Sequence, residues 1–416
     1  MPTTGSSSPS AAPALFDLAA RALTHADVFA LADDQRAVLD HVRQGLADQG
    51  DTRAVAVVAG AAGTGKSALA LTLLGDALRA GYRARHATGS QAFTTALRKT
   101  AGHGSRAAQK LFQYFGTAAD TEPDGLDLLV CDDAHQLRAT SNTRYTPASR
   151  RSDRTQAAQL LETARVVVFL LDEHQAVRPG QIGTRDYLAA AARACGATVH
   201  IAELTSQHRH HNARYDSWVR RLLGLDDPLS PPTSWSGDKD SALRFELRVA
   251  DSPGELEQLL RPKTEVGAST RITAGLCWPW SDASPGNSLV RDIVIGDWRR
   301  PWSVKGQRSV NGLPPSPLWA IDPAGAGQIG NVYSAQGFEY DYGGVILGPD
   351  LLWRDDRWIT DPAATRDDAL DSAMAADVDL WVRRTYRVLL TRATAGTVLY
   401  STDAETRALL HAIIDA

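Results

Sequence analysis

Short apolar runs alternate along the chain with stretches in which apolar residues return every three or four positions, the pattern of buried strands followed by amphipathic helices. Arg53 to Ala59 reads as a buried strand, and Ser67 to Ala80 as a helix with Leu and Ala at 3.6-type spacing. Tyr82–Ala87, Leu126–Cys131, Val166–Leu171 and Val199–Leu204 predict further strands, with helices over Gln91–Arg98 and Tyr215–Leu223. The β-branched content of VVVFLL at 166–171 suits a central parallel strand. Ahead of this series, Ala14 to about Asp48 carries two helical patterns, the second opening on Asp33 and Asp34, where a helix favours acids. Residues 1–13 are small and polar and are expected to form a disordered tail.

Residues 225–241 are rich in Pro, Ser and Asp and read as a linker. A second series follows: strands at Ala242–Val249, Arg271–Cys277, Gln328–Ser334, Gly343–Leu347 and Thr397–Tyr400, with helices at Pro253–Leu260 and Ser372–Thr391. The stretch from Cys277 to Pro317 is dense in Trp, Pro and Gly and reads as loop. The expectation is an α/β chain of two domains, 14–224 and 242–416, with the same kind of content.

At 416 residues and 43% hydrophobic content, the chain has material for two or three cores. No apolar run reaches the roughly 18 residues of a membrane span, and no signal-peptide pattern opens the sequence, so a cytoplasmic protein with no membrane partner is expected. Cys131, Cys195 and Cys277 form no C-x-x-C pair, which argues against a zinc site or disulfide framework. The net charge of −4 gives no overall basic field, so any nucleic-acid contact depends on a local groove. Only six of the 44 basic residues are Lys; the Arg excess suits bidentate phosphate contacts but is better explained by a GC-rich genome. Arg138 to Arg154 is a polar segment expected to form a surface loop.

Chemistry concentrates between the first strand and its helix. Gly60-Ala61-Ala62-Gly63-Thr64-Gly65-Lys66-Ser67 fits G-x-x-x-x-G-K-[ST] in the strand-to-helix context the motif needs. Glycines there let backbone N–H groups close around a polyphosphate at a helix N-terminus, where unpaired donors and the helix dipole favour an anion. Lys66 is placed to reach the β- and γ-phosphates and Ser67 to ligate Mg²⁺, so ATP and Mg²⁺ are the expected cofactors. Asp132-Asp133-Ala134-His135 and Asp172-Glu173-His174-Gln175 each follow a strand, and the carboxyl ends of strands are where open α/β sheets hold ligands.

In chain order, GAAGTGKSALALTLL, LLVCDDAHQL, VVVFLLDEHQAVRPGQIGT, ELTSQHRHH, AGLCWPWS, NVYSAQGFEYDYGGVILGPDL and TYRVLLTRATAG resemble the motifs of superfamily 1 helicase-like ATPases. The strings look most like the Schlafen-type (group 3) DNA/RNA helicase-like domain family, over about Gln35 to Tyr400. The resemblance implies two RecA-like P-loop NTPase domains with parallel sheets, the nucleotide in the cleft between them and a nucleic-acid strand across their tops. It further implies that Gln35 reads adenine, Asp132 holds Mg²⁺, and Asp133 orients and deprotonates the attacking water. By the same likeness Gln175, with Asp172, senses the γ-phosphate, Arg209 and Arg392 close on the phosphates, and Gln336, Gly337 and Glu339 form a loop that contacts nucleotide and nucleic acid. Where the family usually has Glu, this chain has Asp133, whose carboxylate stands one methylene farther from the water.

Thr88, Ser90, Phe93, Trp278, Trp280 and Ser334 are the candidate nucleic-acid contacts, since hydroxyls suit phosphates and aromatic rings stack on bases. Trp278 and Trp280 flank Pro279 and serve equally well as core anchors. His208, His210 and His211 have no carboxylate or cysteine at metal-ligand spacing, so a metal reading is set aside. The implied activity is ATP hydrolysis coupled to single-stranded or partly opened DNA or RNA. With no accessory insertion or nuclease motif in view, a partner nuclease or other effector, in a defence or repair complex, is expected to supply the outcome. The alternative is a slow or non-hydrolysing ATP-gated switch that regulates a partner protein. A small-molecule kinase would not need the VYSAQGFEYD and YRVLLTRA strings.

Overall fold

The computed structural model describes residues 15–48, 50, 52–142, 146–207, 212–227, 232–235, 245–284, 286, 288–371 and 373–414. Strands β1 (Ala54–Gly60), β2 (Ala84–Thr88), β3 (Phe112–Tyr114), β4 (Leu126–Asp132), β5 (Ala164–Leu171) and β6 (Thr198–Leu204) form one sheet in the order β3-β2-β4-β5-β1-β6. Every neighbouring pair is parallel. Parallel strands need crossovers, supplied here by α3 to α8 after the N-terminal pair α1 and α2. These helices are α1 (Leu15–Thr24), α2 (Asp33–Ala47), α3 (Lys66–Arg79), α4 (Gln91–Thr100), α5 (Arg106–Gln109), α6 (Phe115–Ala118), α7 (Gln156–Thr163) and α8 (Arg185–Ala194). Alternation along β1 divides the core: Val55 and Val57 pack with Leu160 and Leu188 on one face, while Ala56 and Val58 pack with Leu69 and Leu73 on the other.

The second half opens with α9 (Asn212–Leu222), β7 (Glu246–Val249), α10 (Pro253–Glu265) and β8 (Thr270–Ala274). An antiparallel pair, β9 (Ile293–Ile295) with β10 (Trp298–Arg300), lies inside the stretch expected to be loop. Next come β11 (Ile329–Gly330), α11 (Val332–Ala335) and β12 (Tyr340–Leu347). A second hairpin, β13 (Leu351–Arg354) with β14 (Arg357–Thr360), precedes α12 (Ala375–Leu390), β15 (Ala393–Ser401) and α13 (Ala404–Ile414). The sheet order is β11-β8-β12-β15-β7, again parallel throughout. The fold is therefore α/β with two parallel sheets.

One further strand expectation changes. The strand predicted over Gln328–Ser334 is only Ile329–Gly330, because the Asn331 side chain accepts from the backbone N–H groups of Tyr333 and Ser334 and starts α11 at Val332. Helix α9, assigned by the sequence division to the first domain, packs with elements of the second half. Its Tyr215 ring lies 4.2 Å from Phe245, Trp218 donates to the Thr233 carbonyl at 2.8 Å, and Arg383 on α12 donates to the Leu223 carbonyl at 3.1 Å. The tail at 1–13 and much of the expected linker lie outside the described residues.

The sheets share apolar contact. Phe16 on α1 stacks on Phe338 at 5.3 Å and meets Phe93 edge-on at 5.4 Å, within one cluster that runs from Leu69 and Leu97 to Val345 and Leu399. Among the described residues, no helix is long and apolar enough to cross a membrane.

Candidate functional site

Strand β5 lies between β1 and β4, with Ala59 opposite Leu171 and Cys131 opposite Phe169. The parallel register therefore brings the residues after three strands to one edge: the loop 60–67 after β1, Asp132 and Asp133 after β4, and Asp172 to Gln175 after β5. Within the loop, Gly63 (φ 86°) and Gly65 (φ 73°) occupy the left-handed region, where a Cβ is strained, and Gly65 caps α3. The Lys66 ammonium is folded onto its own loop, donating to the carbonyls of Gly60 at 2.7 Å and Ala61 at 2.8 Å. Burial pulls its pKa down, against the opposing pull of Asp172, Asp133 and Asp132. Thr64 donates to the Ala61 carbonyl at 2.9 Å. Gln35 braces the loop from α2: its amide N–H donates to the Thr64 carbonyl at 2.9 Å, and its oxygen accepts from Ala32 N–H at 2.9 Å. The amide expected to read adenine is thus turned toward the loop and its own helix start.

Asp132 is fully buried, and its Oδ2 has no hydrogen-bond partner. Burial pushes its pKa up, but His86, the Ser67 hydroxyl and the Asp133 backbone N–H more than offset that and hold it below the usual value. His86 Nε2 stands 3.6 Å from Oδ2. An unpartnered carboxylate oxygen beside a serine hydroxyl is a hard-oxygen donor set that fits Mg²⁺. No group of three or more His, Cys, Asp or Glu among the described residues could hold an ion by itself. Asp133 is buried with its backbone at φ 52°. Burial and Asp132 push its carboxyl up to about 7, while Lys66 and Arg392 pull the other way.

Asp172 accepts from the Gln175 side chain at 2.9 Å. Burial opposes its charge, yet Arg387 and Lys66 hold it well below the usual carboxylate range. His135, beside it, is pushed down to about 3 by burial and stays neutral.

The second half reaches this edge through side chains. Gln336, at the end of α11, donates to the Gln175 carbonyl at 2.8 Å and lies 3.2 Å from His135 Nε2. Gly337 (φ 89°) comes so close to Phe93 that a Cβ would sit 3.0 Å from the ring, and Glu339 is exposed. Arg392 is buried, donating to the Val388 carbonyl at 2.9 Å, with Asp133 and Tyr340 among the groups facing it. Arg387, absent from the sequence expectations, is paired with Asp216 at 2.9 Å and approaches Asp172 at 3.6 Å. Its only sequence signal was a place within the YRVLLTRA string. Arg209, with His208, His210 and His211, lies outside the described residues.

Four of the candidate nucleic-acid contacts are occupied inside the protein. Thr88 is buried and accepts from Ser90 N–H at 3.1 Å, and Ser90 caps α4 by accepting from Phe93 N–H. Phe93 is 1% exposed between Phe16 and Phe338, with no face open to a base in this arrangement. Ser334 is buried in the α11 cap, its hydroxyl accepting from Asn331 N–H at 2.9 Å. Trp278 and Trp280 are half-buried; their indole N–H groups donate to the carbonyls of Val294 and Ser303.

No curated protein matches the chain. Among solved structures, a DNA replication initiation factor matches at 18% identity and a TM-score of 0.24, over 49% of this chain and 55% of that one. AMPPCP-bound DnaA from Aquifex aeolicus matches at 18% identity and 0.25, over 49% and 56%. The chain thus spans little more than half the length of either. The family model described as Schlafen group 3, DNA/RNA helicase domain, matches residues 53–403. The chain belongs to that family.

Proposed function

We propose that the protein is an ATP-dependent nucleic-acid motor ATPase of superfamily 1 helicase type, acting in the cytoplasm on single-stranded or partly opened DNA or RNA. The observation that carries this reading is the meeting, at one sheet edge, of Lys66, Asp132, Asp133 and Gln175 with a side chain of the other sheet, Gln336, through its 2.8 Å bond to the Gln175 carbonyl. The two sheets serve as RecA-like units whose approach completes the site.

In this reading Lys66 leaves the Gly60 and Ala61 carbonyls for the β- and γ-phosphates, and Gln35 and the loop glycines fix the nucleotide. Ser67 and Asp132 would hold Mg²⁺, which would supply neutralisation of phosphate charge. Asp133 orients the attacking water and takes its proton, and Gln175 senses the γ-phosphate. Arg209 and Arg392 stabilise charge on the transferring phosphoryl group, while Gly337 and Glu339 place the loop that answers to nucleotide and nucleic acid. Trp278 and Trp280 offer rings to a strand. A partner nuclease or other effector supplies the outcome. Steady-state ATP hydrolysis with and without single-stranded DNA and RNA tests the reading: stimulation is expected, and its loss in Lys66→Ala. Turnover indifferent to both polymers and to Lys66 sinks it.

One observation favours a second reading, a slow ATP-gated switch. Asp133 has the short carboxylate, on a left-handed backbone that non-glycine residues seldom adopt. Tight ATP binding with negligible turnover, and a gain in Asp133→Glu, would select the switch.

A further inference from the structure

Arg387 is the most deeply buried arginine of the described residues, with a fully inaccessible side chain on α12, five residues before Arg392. Its Nη2 lies 2.9 Å from one Asp216 oxygen and 3.1 Å from the other, and 3.6 Å from Asp172 Oδ2. Its Nε and Nη1 have no partner. A buried ion pair of this kind is weak evidence for stability, since apolar residues of equal volume serve as well. Two unfilled, buried donors count further against a stabilising role.

Asp172 and Asp216 belong to different regions. Asp172 follows β5 at the edge where Lys66 sits, and Asp216 lies on α9, the helix packed with the second half. We propose that Arg387 is a positioning residue that couples the nucleotide state of the first sheet's edge to helix α9 by sharing its guanidinium between Asp172 and Asp216. The inference rests on the reading that ATP binds at Lys66.

The cause is electrostatic. A triphosphate draws Lys66 from the carboxylates and sets negative charge beside Asp172, which loses one of its two nearby cations. Arg387 is the countercharge that remains, and its free N–H groups let it turn toward the edge without breaking a hydrogen bond of their own. Because the same Nη2 faces both carboxylates, its turn toward Asp172 lengthens its contact with Asp216, so the hold on α9 changes with the nucleotide.

The test is hydrogen exchange of the full chain with and without Mg²⁺ and a non-hydrolysable ATP analogue, beside the affinity of a fluorescent ATP analogue. In the native protein the analogue is expected to change exchange across Asn212–Leu222. In Arg387→Met nucleotide should still bind within about fivefold of native, while that change disappears and kcat falls by about 5- to 150-fold with little change in KM. Arg387→Lys keeps the charge but cannot span both carboxylates, and should restore part of the response. If Arg387→Met does not fold, Asp216→Asn carries the test, with loss of the α9 response again expected. An intact α9 response in a folded variant, or a lowered melting temperature with unchanged kcat, overturns the coupling role. Failure of the native protein to bind the nucleotide analogue would instead overturn the ATPase reading, and the coupling with it.

Discussion

At the first sheet, Lys66, Ser67, Asp132 and Gln175 stand at strand ends or within a few residues of them, and the parallel register between β1, β5 and β4 sets their spacing. At the second, Arg387 and Arg392 leave the end of α12 and Gln336 leaves α11, and each is held by a buried bond or ion pair. Groups of the first kind are fixed as soon as one sheet forms. Groups of the second kind depend on how two layers pack, and they are the ones a ligand can move. In the proposed function, binding therefore belongs to the first edge, and turnover to the agreement between the two.

The sharpest way to break this comparison is Arg392→Ala. A guanidinium that acts only on charge developing in the transition state is worth about 10³-fold or more in kcat. The expected result is a loss of that order with nucleotide affinity within about tenfold of native, read by single-turnover hydrolysis beside equilibrium binding. Unchanged turnover would mean that the first edge works alone. Next in size is Phe338→Ala. The ring is 1% exposed and packs on both Phe16 and Phe93, so its removal should cost about 3–5 kcal/mol. Because one apolar cluster spans both sheets, a single, lowered melting transition is expected. Two separate transitions would show that the sheets fold independently and that their contact is loose. Gln336→Leu is a smaller change: it leaves the buried Gln175 carbonyl without its 2.8 Å donor, at a cost of about 1–3 kcal/mol. Stimulation of turnover by nucleic acid should fall by about tenfold while unstimulated turnover holds.

The same contrast explains what the sequence made legible. The loop 60–67, the DDAH and DEHQ strand ends and the parallel α/β class could be read because strand, turn and helix there follow each other within a dozen residues. The partnership of Arg387 with Asp172 and Asp216 joins positions far apart in the chain, and no local spacing announces it. Gln328–Ser334 misled because its apolar spacing passes for a strand, whereas Asn331 capping decides for a helix. Phe93 is legible only in part for a related reason: an aromatic after a strand suits a base or a core equally, and no local spacing shows that its ring meets Phe16 on α1. The second hairpin and the place of α9 were hidden because packing against α12 and α13, rather than periodicity, holds them, and the first hairpin is tied to α10 through Arg300 and Glu257.

Trp280 offers the smallest and most selective probe, because its two capacities can be separated in one side chain. The half-buried ring can stack on a base, while its N–H donates to the Ser303 carbonyl at 2.9 Å and ties the loop to the second sheet's surroundings. Trp280→Phe keeps a ring and deletes the donor, so it should lower stability by about 1 kcal/mol and leave affinity for single-stranded DNA or RNA within about twofold. Trp280→Ala deletes both, and a stacking role adds about 1–3 kcal/mol of lost binding. Denaturant melts and fluorescence titrations at fixed salt read the two quantities apart, the salt being fixed because phosphate contacts would otherwise dominate the comparison. If both variants lose stability alike and binding not at all, Trp280 is an anchor. The nucleic-acid path must then be sought away from the tryptophan loop, nearer the exposed Glu339 and the edge that Gln336 closes.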